Sequence, residues 1–133
     1  MAAPAAVLKA FDAAHRSLGE TVIYRAGDVA IEDVAAVPGK STAEIYDQSG
    51  LATTVDLQDF AIRADALVVP DGSGARRIRP ERGHIIEVIR DGQTHQFRVQ
   101  HPDMSQAPFR NADAYGGVLR IHTTESEAPT AAE

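Results

Sequence analysis

Five histidines (His15, His84, His95, His101 and His122) and six serines are the first residues to suggest chemistry, because imidazole titrates near neutral pH, ligates metals and activates hydroxyl nucleophiles. Their spacing does not sustain it. There is no H-x-x-x-H or H-E-x-x-H pair, and with Cys 0 no thiolate can complete a zinc site. No serine sits in a G-x-S-x-G elbow. The carboxylates of Glu32, Asp33, Asp56 and Asp59 fall in strand-like runs, where solvated edge charges are expected rather than an acid/base dyad. Residues 70–83, PDGSGARRIRPERG, present G-x-G and several guanidiniums, as a phosphate cradle would. They lack G-K-[ST] and precede no helical pattern, so neither a Walker loop nor a dinucleotide turn fits. The expectation is no catalytic residue, no metal and no cofactor. Arg76, Arg77, Arg79 and Arg82 remain, four guanidiniums suited to bidentate contacts with an acidic partner surface.

The elements that must carry these residues follow from hydrophobic period. Val7, Leu8, Phe11, Ala14 and Leu18 recur at helical spacing and predict one amphipathic helix over about 5–18, capped by Gly19. The period then changes to two. Strands are expected at 21–25 and 29–34, with Pro38-Gly39 ending that unit, and at 41–47 and 53–62 around the Gln48-Ser49-Gly50 turn. In the last of these the apolar parity flips between Leu57 and Phe60, which predicts a β-bulge near Gln58 and Asp59. Asp91-Gly92 between two β-rich runs predicts a two-residue type I′ hairpin over 84–99. Its register puts Ile86, Val88, Phe97 and Val99 on one core face, with His95 beside Val88 and His84 further along as a possible pair of neutral imidazoles. A loop at 101–117 and a strand at 118–124 complete the fold, and 125–133 reads as a disordered tail. The sum is a single domain over 1–124, mainly β: a small antiparallel β-barrel or sandwich of six to seven strands with one N-terminal α-helix.

Composition narrows the function classes. No apolar run approaches the roughly 20 residues of a membrane span, and the opening MAAPAAVLKAF has no basic stretch ahead of it, so neither a membrane anchor nor a secretory leader is expected. The net charge of -6 argues against a general nucleic-acid binder. The charge is unevenly placed. Residues 1–60 carry nine acids against Lys9, Arg16, Arg25 and Lys40, while residues 76–98 carry six arginines against Glu81, Glu87 and Asp91. Complementary poles of this kind suit an assembly.

Taken together, VIYRAGDVAIEDVAAVPG, DFAIRADALVV, RPERGHIIEVIRDGQTHQFRV and DAYGGVLRIHTT resemble, in kind and order over about 20–124, the head-tail joining (head completion, or stopper) proteins of tailed bacteriophages. The chain departs from that pattern at His84 and Thr124, where the family would place an Asp and a basic residue. The resemblance implies a non-enzymatic virion protein of the neck, assembled in the host cytoplasm. It would form a homo-oligomeric ring, dodecamer or hexamer, below the portal or adaptor protein, closing the DNA-filled head and docking a tail terminator or other tail protein. DNA would pass through the ring without sequence-specific binding. Arg76, Arg77, Arg79, Arg82, Phe109 and Tyr115 are then the candidate partner contacts, and the loop Tyr46, Asp47, Gln48, Ser49 and Gly50 the candidate for narrowing the channel. The alternative is a small soluble β-domain that binds a small ligand or carbohydrate. Its usual aromatic platform would have to come from Trp 0 and Tyr 3.

Overall fold

The computed structural model describes residues 4–125 and 130–131. Helix α1 (Ala5–Leu18) is followed by β1 (Glu20–Ala26), β2 (Val29–Tyr46), β3 (Ala52–Arg63), β4 (Val68–Asp71), β5 (Gly74–Arg77), β6 (Ile85–Arg90), β7 (Gln93–Val99), β8 (Phe109–Asn111), β9 (Val118–Glu125) and β10 (Thr130–Ala131). The sheet runs β7-β6-β1-β2-β3-β9, antiparallel throughout, and closes on itself because β9 also pairs with β7. The result is the expected small barrel with one N-terminal helix. β8 adds a further strand beside β9, and β4 and β5 form a separate two-stranded sheet.

Closure follows from alternation. Val22 and Tyr24 of β1, Val34 and Ala36 of β2, Phe60 and Ile62 of β3, Ile86 and Val88 of β6, Phe97 and Val99 of β7, and Ile121 of β9 all lie in one buried cluster. Each Val, Ile and Phe among them contributes about 1.5–3 kcal/mol by leaving water. The hairpin of β6 and β7 has the register read from the sequence, with Ile86↔Phe97, Val88↔His95 and Arg90↔Gln93, and the Val99 N–H donates to the His84 carbonyl at 2.8 Å. Asp91 (φ 50) and Gly92 (φ 74) both occupy the left-handed region that a type I′ turn demands. Phe60 and Phe97 meet edge to face across the core, with ring centroids 5.3 Å apart.

Several expectations are corrected. Pro38-Gly39 does not end a unit, since β2 runs through both and pairs Pro38 with Phe60 and Gly39 with Asp59. β1 stops pairing at Ala36, so Pro38 has a strand neighbour on one side only, where a missing donor is tolerated. No bulge lies at Gln58 and Asp59, because β3 keeps an unbroken register with both β2 and β9 there. The register shift falls between Val22 and Tyr24, opposite Glu32 and Asp33, and Asp33 takes φ 57 to absorb the extra residue. Gly19 does follow the helix and donates to the His15 carbonyl at 2.8 Å, but with extended φ -82. Its lack of a side chain serves close approach instead, as a Cβ there would meet the His15 ring at 2.1 Å. The 101–117 segment is not all loop, since it contains β8, and residues 70–83 hold the end of β4 and all of β5. Of the expected tail, Glu125 ends β9 and Thr130–Ala131 pairs with β7; the remaining positions lie outside the described residues.

β2 and β3 outrun their neighbours. β1 pairs with β2 no further than Ala36, and β9 with β3 no further than Gln58, so 41–46 and 52–57 pair only with each other. They project from the barrel as a two-stranded ribbon closed by the turn 47–51.

Candidate functional site

Three groups of polar side chains stand out, and the first is where the apolar parity flipped. Phe60 and Ile62 point into the barrel, whereas Leu57 and Asp59, on the opposite face of β3, are also buried. Asp59 is therefore no solvated edge charge. At 1% exposure its carboxylate accepts from Ser41 Oγ (3.1 Å), Arg120 Nε (2.6 Å) and His122 Nδ1 (2.9 Å), which arrive from β2 and β9. Burial alone would raise its pKa, but the bonds from His122, Arg120 and Ser41 together outweigh burial and hold the carboxyl below the usual carboxylate range. Arg120 also donates to the Lys40 carbonyl at 3.0 Å, and His101, from the loop after β7, packs edge-on against His122. Serine and histidine both bond to the carboxylate here, so no histidine is poised to take a proton from a hydroxyl. The arrangement ties three strands together and is not a nucleophile relay.

The second group replaces the expected pair of imidazoles. His84 and His95 do not meet. His84 Nδ1 lies 2.7 Å from the Tyr24 hydroxyl and 3.3 Å from the Glu81 backbone N–H. A backbone N–H can only donate, so Nδ1 is the acceptor and the ring proton sits on Nε2, which faces the Glu81 carboxylate at 3.8 Å. Burial lowers the His84 pKa against the opposing pull of Glu81, and burial raises that of Tyr24. His95 instead donates from Nδ1 to Glu125 at 2.7 Å. Among the described residues no cluster of His, Asp and Glu could hold a metal ion.

The third group contains the arginines. Arg76, Arg77 and Arg79 are exposed; β5 sets Arg76 and Arg77 on opposite sides, and Arg79, just past the strand, borders the cavities on both. Arg77 and Arg79 line an open groove of about 440 Å³ with Ala64, Ile78, Phe109, Asn111, Gly116 and Leu119, and the Arg79 guanidinium stacks over the Phe109 ring at 5.4 Å. Arg76 turns to the other side of β5, towards Glu81 and His84, within 3.9 Å of Asp71. Arg82 is engaged in its own chain: its guanidinium donates to the carbonyls of His101 (3.0 Å), Met104 (3.1 Å) and Gln106. Tyr115, 48% exposed, adjoins the groove through Gly116. The structure thus brings Arg77, Arg79 and Phe109 to one groove, leaves Tyr115 outside its lining, and sets Arg82 to holding the 101–106 loop.

Tyr46, Asp47, Gln48, Ser49 and Gly50 sit far from that groove, at the tip of the ribbon. The turn is tightly organised, with Asp47 Oδ1 accepting from the N–H and Oγ of Ser49 (2.8 and 2.6 Å) and from the Leu51 N–H (3.0 Å). Asp103 repeats the device with Ser105 (2.9 and 2.7 Å). The signal for both was the D-x-S spacing, an Asx turn whose carboxylate caps the backbone two residues on. In each case the serine's bond, chief among the causes, lowers the carboxyl pKa. One face of the ribbon, formed by Thr42, Glu44, Tyr46, Ala52, Thr54 and Asp56, is exposed along its whole length.

No helix among the described residues is long and apolar enough to cross a membrane. A family model described as "Phage head-tail joining protein" matches residues 5–130, which takes in the helix and every barrel strand. None of the curated proteins matches the chain.

Proposed function

The chain belongs to the phage head-tail joining protein family, a structural component of the virion neck that meets other head and tail proteins, and on that premise we propose that it is the subunit of a stopper ring. The ring sits below the portal or adaptor, closes the filled head after packaging and presents the docking platform for a tail terminator or tail protein. The observation that carries this reading is the extent of the family match, which spans the whole barrel. Two features support it. A closed barrel has few free strand edges and makes a rigid wall unit. A net charge of -6 keeps the channel from gripping DNA that must later leave through it. The subunit contact falls to the Arg77, Arg79 and Phe109 groove, whose guanidiniums suit acidic surfaces.

The test is a nonsense mutation in the gene in the phage that carries it. Lysates should hold packaged heads and free tails in separate fractions, with heads that lose DNA on standing, and adding the purified protein should restore infectious particles. Joined, DNA-retaining particles at normal yield without the protein would refute the assignment.

A further inference from the structure

Barrel closure leaves β8 at the end of the sheet, with β9 on one side only. Antiparallel pairing alternates, so successive residues of an edge strand point their backbone groups towards the neighbour and away from it. The His122 N–H donates to the Pro108 carbonyl and the Ala112 N–H to the Val118 carbonyl, each at 2.8 Å, and Arg110 pairs with Arg120 between them. Residues 108, 110 and 112 therefore serve β9, while Phe109 and Asn111 turn N–H and C=O outwards. Neither of these two has a backbone partner there among the described residues. Such an edge accepts another strand.

Phe109 and Asn111 also line the groove, so a strand laid along β8 occupies it. Every second side chain of that strand shares their face, where Arg77 and Arg79 border the groove. The side chains between share the face of Arg110, which is exposed. None of these three arginines makes an ion pair among the described residues. No carboxylate lines the groove, and that of Asp65, next to Ala64 of the lining, is held by Arg63 at 2.9 and 2.6 Å. The occupant that fits is an extended segment rich in Asp and Glu, whose carboxylates suit unpaired guanidiniums.

Among the described residues this chain has no such segment to spare. Its acidic stretch 41–57 is already paired within itself as the ribbon of β2 and β3, and Thr130–Ala131 pairs with β7. We propose that the subunit contact at the groove is a strand addition. An extended acidic segment from a subunit of the adjoining neck ring, a protein other than this one, pairs with β8 and sets its carboxylates against Arg77, Arg79 and Arg110. This rests on the neck-ring reading and gives the ring its joint to the next one. It makes no demand on the turn at 46–50, which stays available to the channel.

Tyr115 is exposed just outside the groove lining and the chain has no cysteine, so Tyr115→Cys supplies a single thiol there for a benzophenone maleimide. The labelled protein is added to the nonsense-mutant lysate, the mixture is irradiated, and cross-linked peptides are read by mass spectrometry. The expected partner is one acidic segment of one other neck protein. Asn111→Pro removes an outward N–H and leaves the bonds to β9, so the cross-link should fall severalfold. It should fall by less in Asn111→Ala, which keeps that N–H. Arg77→Glu with Arg79→Glu should also lower it severalfold, and this arm decides the matter if Asn111→Pro lowers the melting temperature. Three results would overturn the strand addition while the neck assignment stands: no cross-link beyond copies of this chain, a cross-link to a basic segment, or equal yield from every variant. If even the unlabelled protein restores no joined particles, the assignment itself fails and the joint with it.

Discussion

Replacing Asp59 with alanine tests whether the buried carboxylate holds β2, β3 and β9 together. The substitution removes three hydrogen bonds of unequal worth. His122 is buried, and its unpaired Nδ1–H costs about 1–3 kcal/mol. Arg120, with 34% of its side chain exposed, keeps water and the Lys40 carbonyl and loses no more than about 1 kcal/mol. Ser41 is half-buried and its hydroxyl can turn to another acceptor. Together these put Asp59→Ala at about 3 kcal/mol of destabilisation. At roughly 2.1 cal/mol/K per residue over 133 residues, the melting temperature should fall by about 10 °C. Asp59→Asn keeps an acceptor for His122 but loses the charge, so it should fall by less. The sign of the pH dependence is a second readout. The folded-state pKa of Asp59 is lowered, so its contribution is complete above the unfolded value near 3.8 and is lost as pH falls through the folded one. Calorimetry from pH 7 to 2.5 should show a steeper acid loss in the wild type than in Asp59→Asn. An Asp59→Ala protein that melts within about 2 °C of wild type, with the same acid profile, would refute the reasoning.

Phe97→Ala empties a site in the centre of the barrel opposite Phe60 and should cost about 3–5 kcal/mol, read as a lower denaturant midpoint. Arg82→Met removes the donor shared by three carbonyls of the 101–106 loop, so amide exchange there should quicken while the β6–β7 hairpin stays protected. His84 has a folded-state pKa below its ordinary 6.5, so the unfolded chain takes up a proton first. Its contribution is complete above about pH 6.5 and declines as pH falls below it; stability measured from pH 7.5 to 5 should fall more in the wild type than in His84→Gln. Glu at both Arg77 and Arg79 should leave the melting temperature nearly unchanged and abolish head-tail joining, since neither guanidinium is buried.

The hairpin was legible because Asp91-Gly92 states its turn chemistry outright, and a two-residue turn fixes every pair behind it. The helix was legible for the same kind of local reason. Asp59 was not. A change of apolar parity has two physical causes, an inserted residue or a strand buried on both faces, and a single sequence does not separate them. Leu57 and Asp59 belong to the second case, because Ser41, Arg120 and His122 reach the outer face of β3 from strands 18, 61 and 63 residues away. Arg82 shows the limit for the candidate site: four arginines in one short segment look alike in sequence, yet loop 101–106 returns to claim one of them. The groove itself, built from β5, β8 and the start of β9, is a property of tertiary contacts only.

Strand β9 has a consequence for the order of events during synthesis. It is the last barrel strand, and it borders three others: β3 along 118–123, β8 along 119–121 and β7 along 123–125. Until it emerges from the ribosome, the preceding strands can form only an open sheet, with β3 and β7 as bare edges. Those edges are templates for other nascent chains. The seam between β7 and β9 then closes on three residue pairs, Phe97↔Glu125, Arg98↔Thr124 and Val99↔Thr123. The barrel can close only once residues 118–125 have been translated, and a ribosome stalled before Val118 would release something inclined to aggregate.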